Sequence, residues 1–275
     1  MSDRDSGTPH QSRGNRPARG DQPPRHRAGP TAFAVLRTAV SRLGTDRGLV
    51  LPFLLAGVVV AAVDTARRLD PIPFGHIRDE GISVDVEYYL FPTGSLESVR
   101  PFGAIVELQP RYLLWAVALE AVALLAVGLA GWLVFTRRLD RSTDLAAAAQ
   151  YFGVFGFLIA IPQLLGGANI DFTDGGLVFG IPLIVLWMLL FVRLFFVPVF
   201  LVTGRGVIEA VRESRRTSRG AGWTVFGLIL VFGLGASLLG GLPAIGEGVS
   251  TAVVGPVHAV AAVVLYERLT PSATD

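Results

Sequence analysis

Residues 220–246 read GAGWTVFGLILVFGLGASLLGGLPAIG, and residues 248–266 read GVSTAVVGPVHAVAAVVLY. Neither stretch holds an arginine, aspartate or glutamate, and Glu247 alone separates them. A helix needs roughly 20 mostly apolar residues to cross the hydrocarbon core of a bilayer. Two such runs back to back predict a helix that crosses and a second that returns. Working outward, windows 145–170 and 175–192 are equally free of charge. Residues 48–63 are charge-free in a span that continues past Asp64, and 112–136 is interrupted only by Glu120. The expected fold is therefore all-α: a polytopic bundle with six transmembrane helices at about 48–66, 112–136, 145–166, 176–202, 222–244 and 248–268.

Composition supports this reading. Of 275 residues 51% are hydrophobic and 17% charged, and the mean hydropathy is +0.53. A soluble domain carries about 25% charged residues. The connecting segments test the count of spans independently, because arginine concentrates in short loops on the cytoplasmic side. Nine arginines lie in 1–47, three in 137–144, five in 203–221 and one, Arg268, at the C-terminal end of the last span. The opposite set of loops holds five, all in 67–111, with none in 167–175 or 245–247. Six spans with both termini in the cytoplasm satisfy every loop, which places the chain in the cell membrane as a multi-pass protein.

Several chemistries are missing. With no cysteine there is no disulfide, thiolate metal site or cysteine nucleophile. Of four histidines, His10 and His26 lie in the N-terminal tail. No catalytic residue, metal site or cofactor is expected. All 24 basic residues are arginine, a pattern that GC-rich coding accounts for.

Residues 1–30 hold six arginines, five prolines and four glycines, and read as a disordered basic cytoplasmic tail. Without aromatic interleaving it gives no support to nucleic-acid binding. The six-span membrane domain is expected over 31–270, followed by a short tail, 271–275. Residues 31–43 place Phe33, Leu36, Val40 and Leu43 at helical spacing. That fits an interfacial helix or the first turns of a longer one. The basic segment 203–221 reads as a second amphipathic helix, with Val207, Ile208 and Val211 as its apolar stripe. In the external loop 67–111, Ile82 to Leu90 alternates at strand period, Phe91-Pro92-Thr93-Gly94 reads as a turn, and Ala104 to Leu108 supplies a second strand of a small hairpin. On this topology a cysteine at Ser95 would be reachable from outside the cell, and one at Ser218 would not.

The second half of the chain carries a further pattern. Arg193-Leu194-Phe195-Phe196-Val197-Pro198 leads into Val207-Ile208-Glu209-Ala210-Val211-Arg212-Glu213-Ser214 and Thr217-Ser218-Arg219-Gly220, and the last span ends Val264-Leu265-Tyr266-Glu267-Arg268-Leu269. This resembles the membrane domain that accompanies some glycerophosphodiester phosphodiesterases. It is most similar to the stand-alone members common in halophilic archaea. The resemblance extends loosely over 31–270 and is best over 190–270. It implies a multi-span bundle without catalytic residues, since the phosphodiesterase activity belongs to a separate soluble barrel for which this chain has no room.

Ionisable groups in lipid are functional candidates by default, and three stand out: Arg193, Glu120 and His258. Arg193 in the fourth span costs about 2.5–3.5 kcal/mol at a helix centre, which the twenty Leu, Ile, Val and Phe of 176–202 readily offset. A structural anchor, helped by the backbone carbonyl that Pro198 frees, is favoured over a substrate or ion site. Glu120 differs in depth from Arg193 by about 12 Å along upright helices, so an interfacial or protonated glutamate is favoured over a direct pair. His258, after Gly255-Pro256, is expected to bond a carbonyl freed by the proline, with a proton relay as the sharper alternative. Gly233, Ser237 and Gly241 give the fifth span a close-approach face for packing within the bundle. Two functions remain: a non-catalytic bundle contacting lipid or a partner protein, or a small-solute or lipid transporter built around Arg193, Glu120 and His258.

Overall fold

A computed structural model describes residues 30–72, 75–76, 88–95, 98–99, 108–140, 144–164 and 176–270, with backbone alone at 75–76, 98–99, 160–164, 176–180 and Leu183. Residues 1–29 of the expected tail 1–30, the alternating residues 82–87, most of the patch 104–108 and the C-terminal 271–275 lie outside the described residues. The helices are α1 (Ala32–Thr45), α2 (Leu51–Leu69), α3 (Pro110–Leu139), α4 (Leu145–Leu164), α5 (Gly176–Leu194), α6 (Val197–Val202), α7 (Val207–Thr217), α8 (Gly222–Gly240) and α9 (Gly246–Leu269). Single 3-10 turns at Arg47–Leu49 and Ser218–Gly220 lead into α2 and α8.

Among the described residues five segments are long and apolar enough to cross a membrane: Arg47–Leu69, Pro110–Leu139, Ile184–Val202, Gly222–Gly240 and Gly246–Leu269. The window expected at 145–166 corresponds to α4, whose described apolar part, Leu145–Ile159, is shorter. Outward faces carry Leu55, Val58, Leu114, Leu125, Phe157 and Leu238, each more than half exposed. Such an apolar exterior is the surface a bilayer solvates, and helices suit it because each satisfies its own backbone hydrogen bonds.

The last helix is the axis of the bundle. In its most apolar window 78% of residues are buried, against 28% for α3. α2, α8, α1 and α3 all pack on α9. The closest approach is the α2/α9 crossing. A Cβ on Gly57 would lie 2.5 Å from the Gly248 carbonyl oxygen and 3.0 Å from the Ala252 methyl. A Cβ on Gly248 would in turn lie 2.5 Å from the Gly57 carbonyl oxygen and 2.8 Å from the Ala61 methyl. Gly57 with Ala61, and Gly248 with Ala252, are small residues at i,i+4 that let two backbones touch, the usual device of packing in lipid. On α8, by contrast, Gly233 is buried while Gly241 is exposed, so the expected face does not pack as a unit.

Both ends of the described chain meet. α1 packs on α9 through Val35, Ala39 and Leu43. Arg42 pairs with Glu267 at 2.7 Å, and Arg268 donates to Thr38 Oγ1 at 2.8 Å. The buried stripe is rotated from the expected one. Phe33 and Val40 are 76% and 57% exposed, because α9 takes the face bearing small Ala39.

The window 176–202 is not one continuous helix. Pro198 has no N–H to donate to the carbonyl of Leu194, and the helix breaks at Phe195–Phe196 into α5 and α6. Fully buried Ser214 of α7 bridges the break: its Oγ accepts from the Phe196 N–H (3.1 Å) and donates to the Arg193 carbonyl (2.8 Å). α7 is thereby fixed to the fault line by Ser214 and Ala210.

The largest departure from expectation concerns the connection from α2 to α3. The described strands pair Gly75 with Val99 and His76 with Ser98, two residues each, and Tyr88 to Leu90 form no strand. Residues 88–95 are not an external turn: all but Tyr89 are buried, inside the bundle. Phe91 meets Tyr151 and Phe155 edge-on at 5.0 and 5.1 Å. Pro92 lies against Gly131, roughly 30 Å along α3 from Pro110 at 1.5 Å per residue. Gly94 has φ +154°, and a Cβ there would lie 2.6 Å from the Thr251 nitrogen, so the position suits only glycine. Backbone without helix is tolerated at such depth only when protein surrounds it. The Ser95 N–H donates to Ser250 Oγ (2.9 Å), which donates on to the Ala236 carbonyl (3.2 Å).

Candidate functional site

Among the described residues the strongest concentration of buried charge is where α2 ends. α2 finishes Asp64-Thr65-Ala66-Arg67-Arg68-Leu69, so Asp64 and Arg67 share one face while Arg68 lies one turn from Asp64. Arg67 is 5% exposed at its side chain, and its Nη2 is 2.6 Å from Glu120 Oε2 of α3. Its Nη1 is 3.7 Å from Glu247 Oε2 of α9, a carboxylate only 6% exposed. Arg68 grips Asp64 Oδ2 through Nε (3.1 Å) and Nη2 (2.9 Å). Two guanidinium groups thus face three carboxylates at the junction of α2, α3 and α9.

Arginine suits this place because its planar fork stays charged and serves two carboxylates at once. Removing one partner from a buried ion pair costs about 3–5 kcal/mol, since the survivor keeps its desolvation penalty. The network therefore locks the register of three helices whether or not it does anything else. Just beyond it, Trp115 Nε1 donates to Asp70 Oδ2 at 3.1 Å. An open groove runs over Ala66, Leu69, Asp70, Pro71, Arg111, Tyr112 and Trp115. Among the described residues no three His, Asp or Glu converge to hold a metal ion.

The three residues singled out from the sequence are not gathered into one site. Glu120 belongs to the network, and its partner is Arg67 rather than Arg193. His258 sits in an aromatic box: Phe232 at 4.7 Å between ring centroids, Tyr88 at 5.4 Å and Phe195 at 5.8 Å. Its Nε2 lies 3.4 Å from the Tyr88 hydroxyl, so the polar neighbour comes from the inserted segment, not from a carbonyl freed by Pro256. Arg193 ends α5, half-buried, and makes no ion pair with a described residue. A cation in the last turn of a helix is favoured by the helix dipole.

Arg67 and Glu247 escape a reading by hydropathy because it ends one span just before Arg67 and opens another just after Glu247; Asp64 lies inside the first span, but its partner does not. Carboxylate and arginine at i,i+3 and i,i+4 on the last turn of an apolar helix were the available signal. No protein-family model, curated protein or solved structure matches this chain.

Proposed function

We propose that this chain is an integral protein of the cell membrane that crosses the bilayer six times with both termini cytoplasmic. Its role is non-catalytic: the bundle contacts lipid or a partner protein through its exterior. α4, 20 residues long, supplies the sixth pass, about 30 Å at 1.5 Å per residue. The arginines of 203–221, and those at the meeting of α1 and α9, favour a cytoplasmic assignment for that end. The observation that carries the reading is how the interior is used. Arg67 is taken up by Glu120 and Glu247, Arg68 by Asp64 and Ser214 by the helix break, and residues 88–95 fill the middle. The apolar exposure lies outside. The resemblance to phosphodiesterase membrane domains points the same way, toward a membrane part without catalytic residues.

Transport of a small solute or lipid is the second reading. Its support is the break between α5 and α6, the non-helical segment at depth, and a buried network of arginine and carboxylate, features that line pathways in transporters. Reconstitution into liposomes separates the two. The first reading expects neither dye-reported proton flux nor scrambling of a fluorescent phospholipid above protein-free vesicles. Flux lost in folded Glu120→Gln or Arg193→Ala would establish the second.

A further inference from the structure

α7 presents one face to the bundle and a very different one outward. Ala210, Ser214 and Ser218 are fully buried against the α5/α6 break. Because Ser214 is hydrogen-bonded on both sides of that break, the helix is held against rolling. The outward stripe is therefore fixed as well. It runs Ile208, Arg212, Arg215, Arg219, at spacings of four, three and four residues, with Arg216 beside it; all are exposed, Ile208 by 78%.

The carboxylates of α7 do not neutralise this stripe. Glu209 and Glu213 both turn to Arg205, at 3.4 and 3.8 Å. Elsewhere at this end of the bundle Arg42 is engaged by Glu267, Arg137 by Asp46 at 3.0 Å and Arg268 by Thr38, whereas Arg37, Arg47 and Arg138 stand singly without an ion pair to a described residue. Arg212, Arg215, Arg216 and Arg219 make no ion pair with a described residue. Four guanidinium groups thus outnumber the two carboxylates of α7, both of which are drawn toward Arg205.

Their apolar neighbours indicate what supplies the remaining counter-charge. Trp223, 87% exposed, follows Arg219 at the start of α8, whose lipid-facing side continues through Leu234 and Leu238. Phe33, 76% exposed, flanks it on α1, which is tied to α8 by the Thr224 hydroxyl donating to the Pro30 carbonyl at 2.5 Å. Aromatic side chains of this kind settle at the level of lipid headgroups. A soluble anion would satisfy the arginines and leave Ile208, Trp223 and Phe33 in water. A phospholipid satisfies both, phosphate to arginine and acyl chain to the apolar side chains.

We propose that the outward face of α7 and its 3-10 extension, Ile208, Arg212, Arg215, Arg216 and Arg219 with Trp223, seats the phosphate headgroups of anionic phospholipid. The inference rests on the reading that the bundle contacts lipid, and names the class of lipid and its place. Direct phosphate–guanidinium contact at hydrogen-bonding distance persists at high salt, where longer-range attraction is screened within about 3 Å at 1 M.

The test is native mass spectrometry of the full chain from micelles containing equal phosphatidylglycerol and phosphatidylcholine. The wild type is expected to retain phosphatidylglycerol at least fivefold over phosphatidylcholine. In Arg212→Gln/Arg215→Gln/Arg216→Gln/Arg219→Gln the preference falls to parity, with circular dichroism unchanged. The matching Lys variant keeps most of it, and Arg111→Gln at the opposite end keeps all of it. A double variant, Arg215→Gln/Arg219→Gln, lowers the ratio about twofold and serves if the quadruple variant misfolds. No preference in the wild type, an undiminished one in the Gln variants, or complete displacement by millimolar inorganic phosphate overturns the inference. Retention of both lipids at parity sinks this proposal alone. Solute flux in liposomes sinks the broader reading and leaves the headgroup seat standing.

Discussion

Arg67 shows how much one side chain holds in this bundle. It is the only described side chain that pairs with both α3 and α9 from α2, and neither carboxylate can reach water freely. Arg67→Ala is expected to lower stability by about 3–5 kcal/mol, read as a fall in the denaturant or thermal midpoint in detergent. Arg67→Met combined with Glu120→Gln and Glu247→Gln should recover much of that loss, because no buried charge is then left alone. Ser214 works on a smaller scale. Ser214→Ala strips two bonds from the α5/α6 break and is expected to cost about 1–3 kcal/mol. Faster hydrogen exchange at the Phe196 amide would be its local signature, and unchanged exchange there would mean the break needs no clamp. From the sequence, Glu120 and Arg193 are recognisable as unusual because charge in an apolar run is conspicuous. Their partners are not, since pairing depends on how helices from distant parts of the chain are placed side by side.

At the scale of elements, the apolar runs mark the helices plainly and the contacts between them poorly. Leu145–Leu164, Gly176–Leu194, Gly222–Gly240 and Gly246–Leu269 are helices because an apolar run in lipid has no other way to satisfy its backbone. The interruption at Phe195–Phe196 is foreshadowed by Pro198, yet periodicity alone does not tell a kink from a break that another helix caps. The α2/α9 crossing was open to inspection as Gly57-x-x-x-Ala61 and Gly248-x-x-x-Ala252. Attention falls instead on α8, whose small residues are more numerous but do not form a shared surface. Gly57→Leu or Gly248→Leu should force the helices apart and destabilise the bundle by about 1–3 kcal/mol or more. Gly44→Ala, where an added methyl meets nothing within 4 Å, should leave the melting midpoint unchanged or slightly raised. Equal effects at the two kinds of site would argue against a close crossing.

For the molecule as a whole, loop charge and parity give a sidedness that labelling can check. Ser95 and Ser218 are both fully buried, so neither reports on topology, contrary to the expectation from loop position. Leu242, 44% exposed between α8 and α9, and Glu209, with 57% of its side chain exposed on α7, are better placed. In whole cells an impermeant thiol reagent should modify Leu242→Cys and spare Glu209→Cys until the membrane is opened. The reverse pattern would turn the molecule over. Composition favours hydrocarbon around most of this chain, but says nothing of part of its longest loop being interior. Phe91-Pro92-Thr93-Gly94 has the residues of a surface turn, and only the cavity between α3, α4 and α9 makes it a core.

That cavity imposes an order on assembly. The helices can be threaded into the bilayer one at a time as they leave the ribosome, whereas residues 88–95 have nowhere to go until α4 and α9, made much later, have closed their walls. The segment can take its buried place only once those walls are present. Maturation of the protein would then finish with a post-insertional step, and a chain truncated before α9 would expose a hollow, protease-sensitive intermediate.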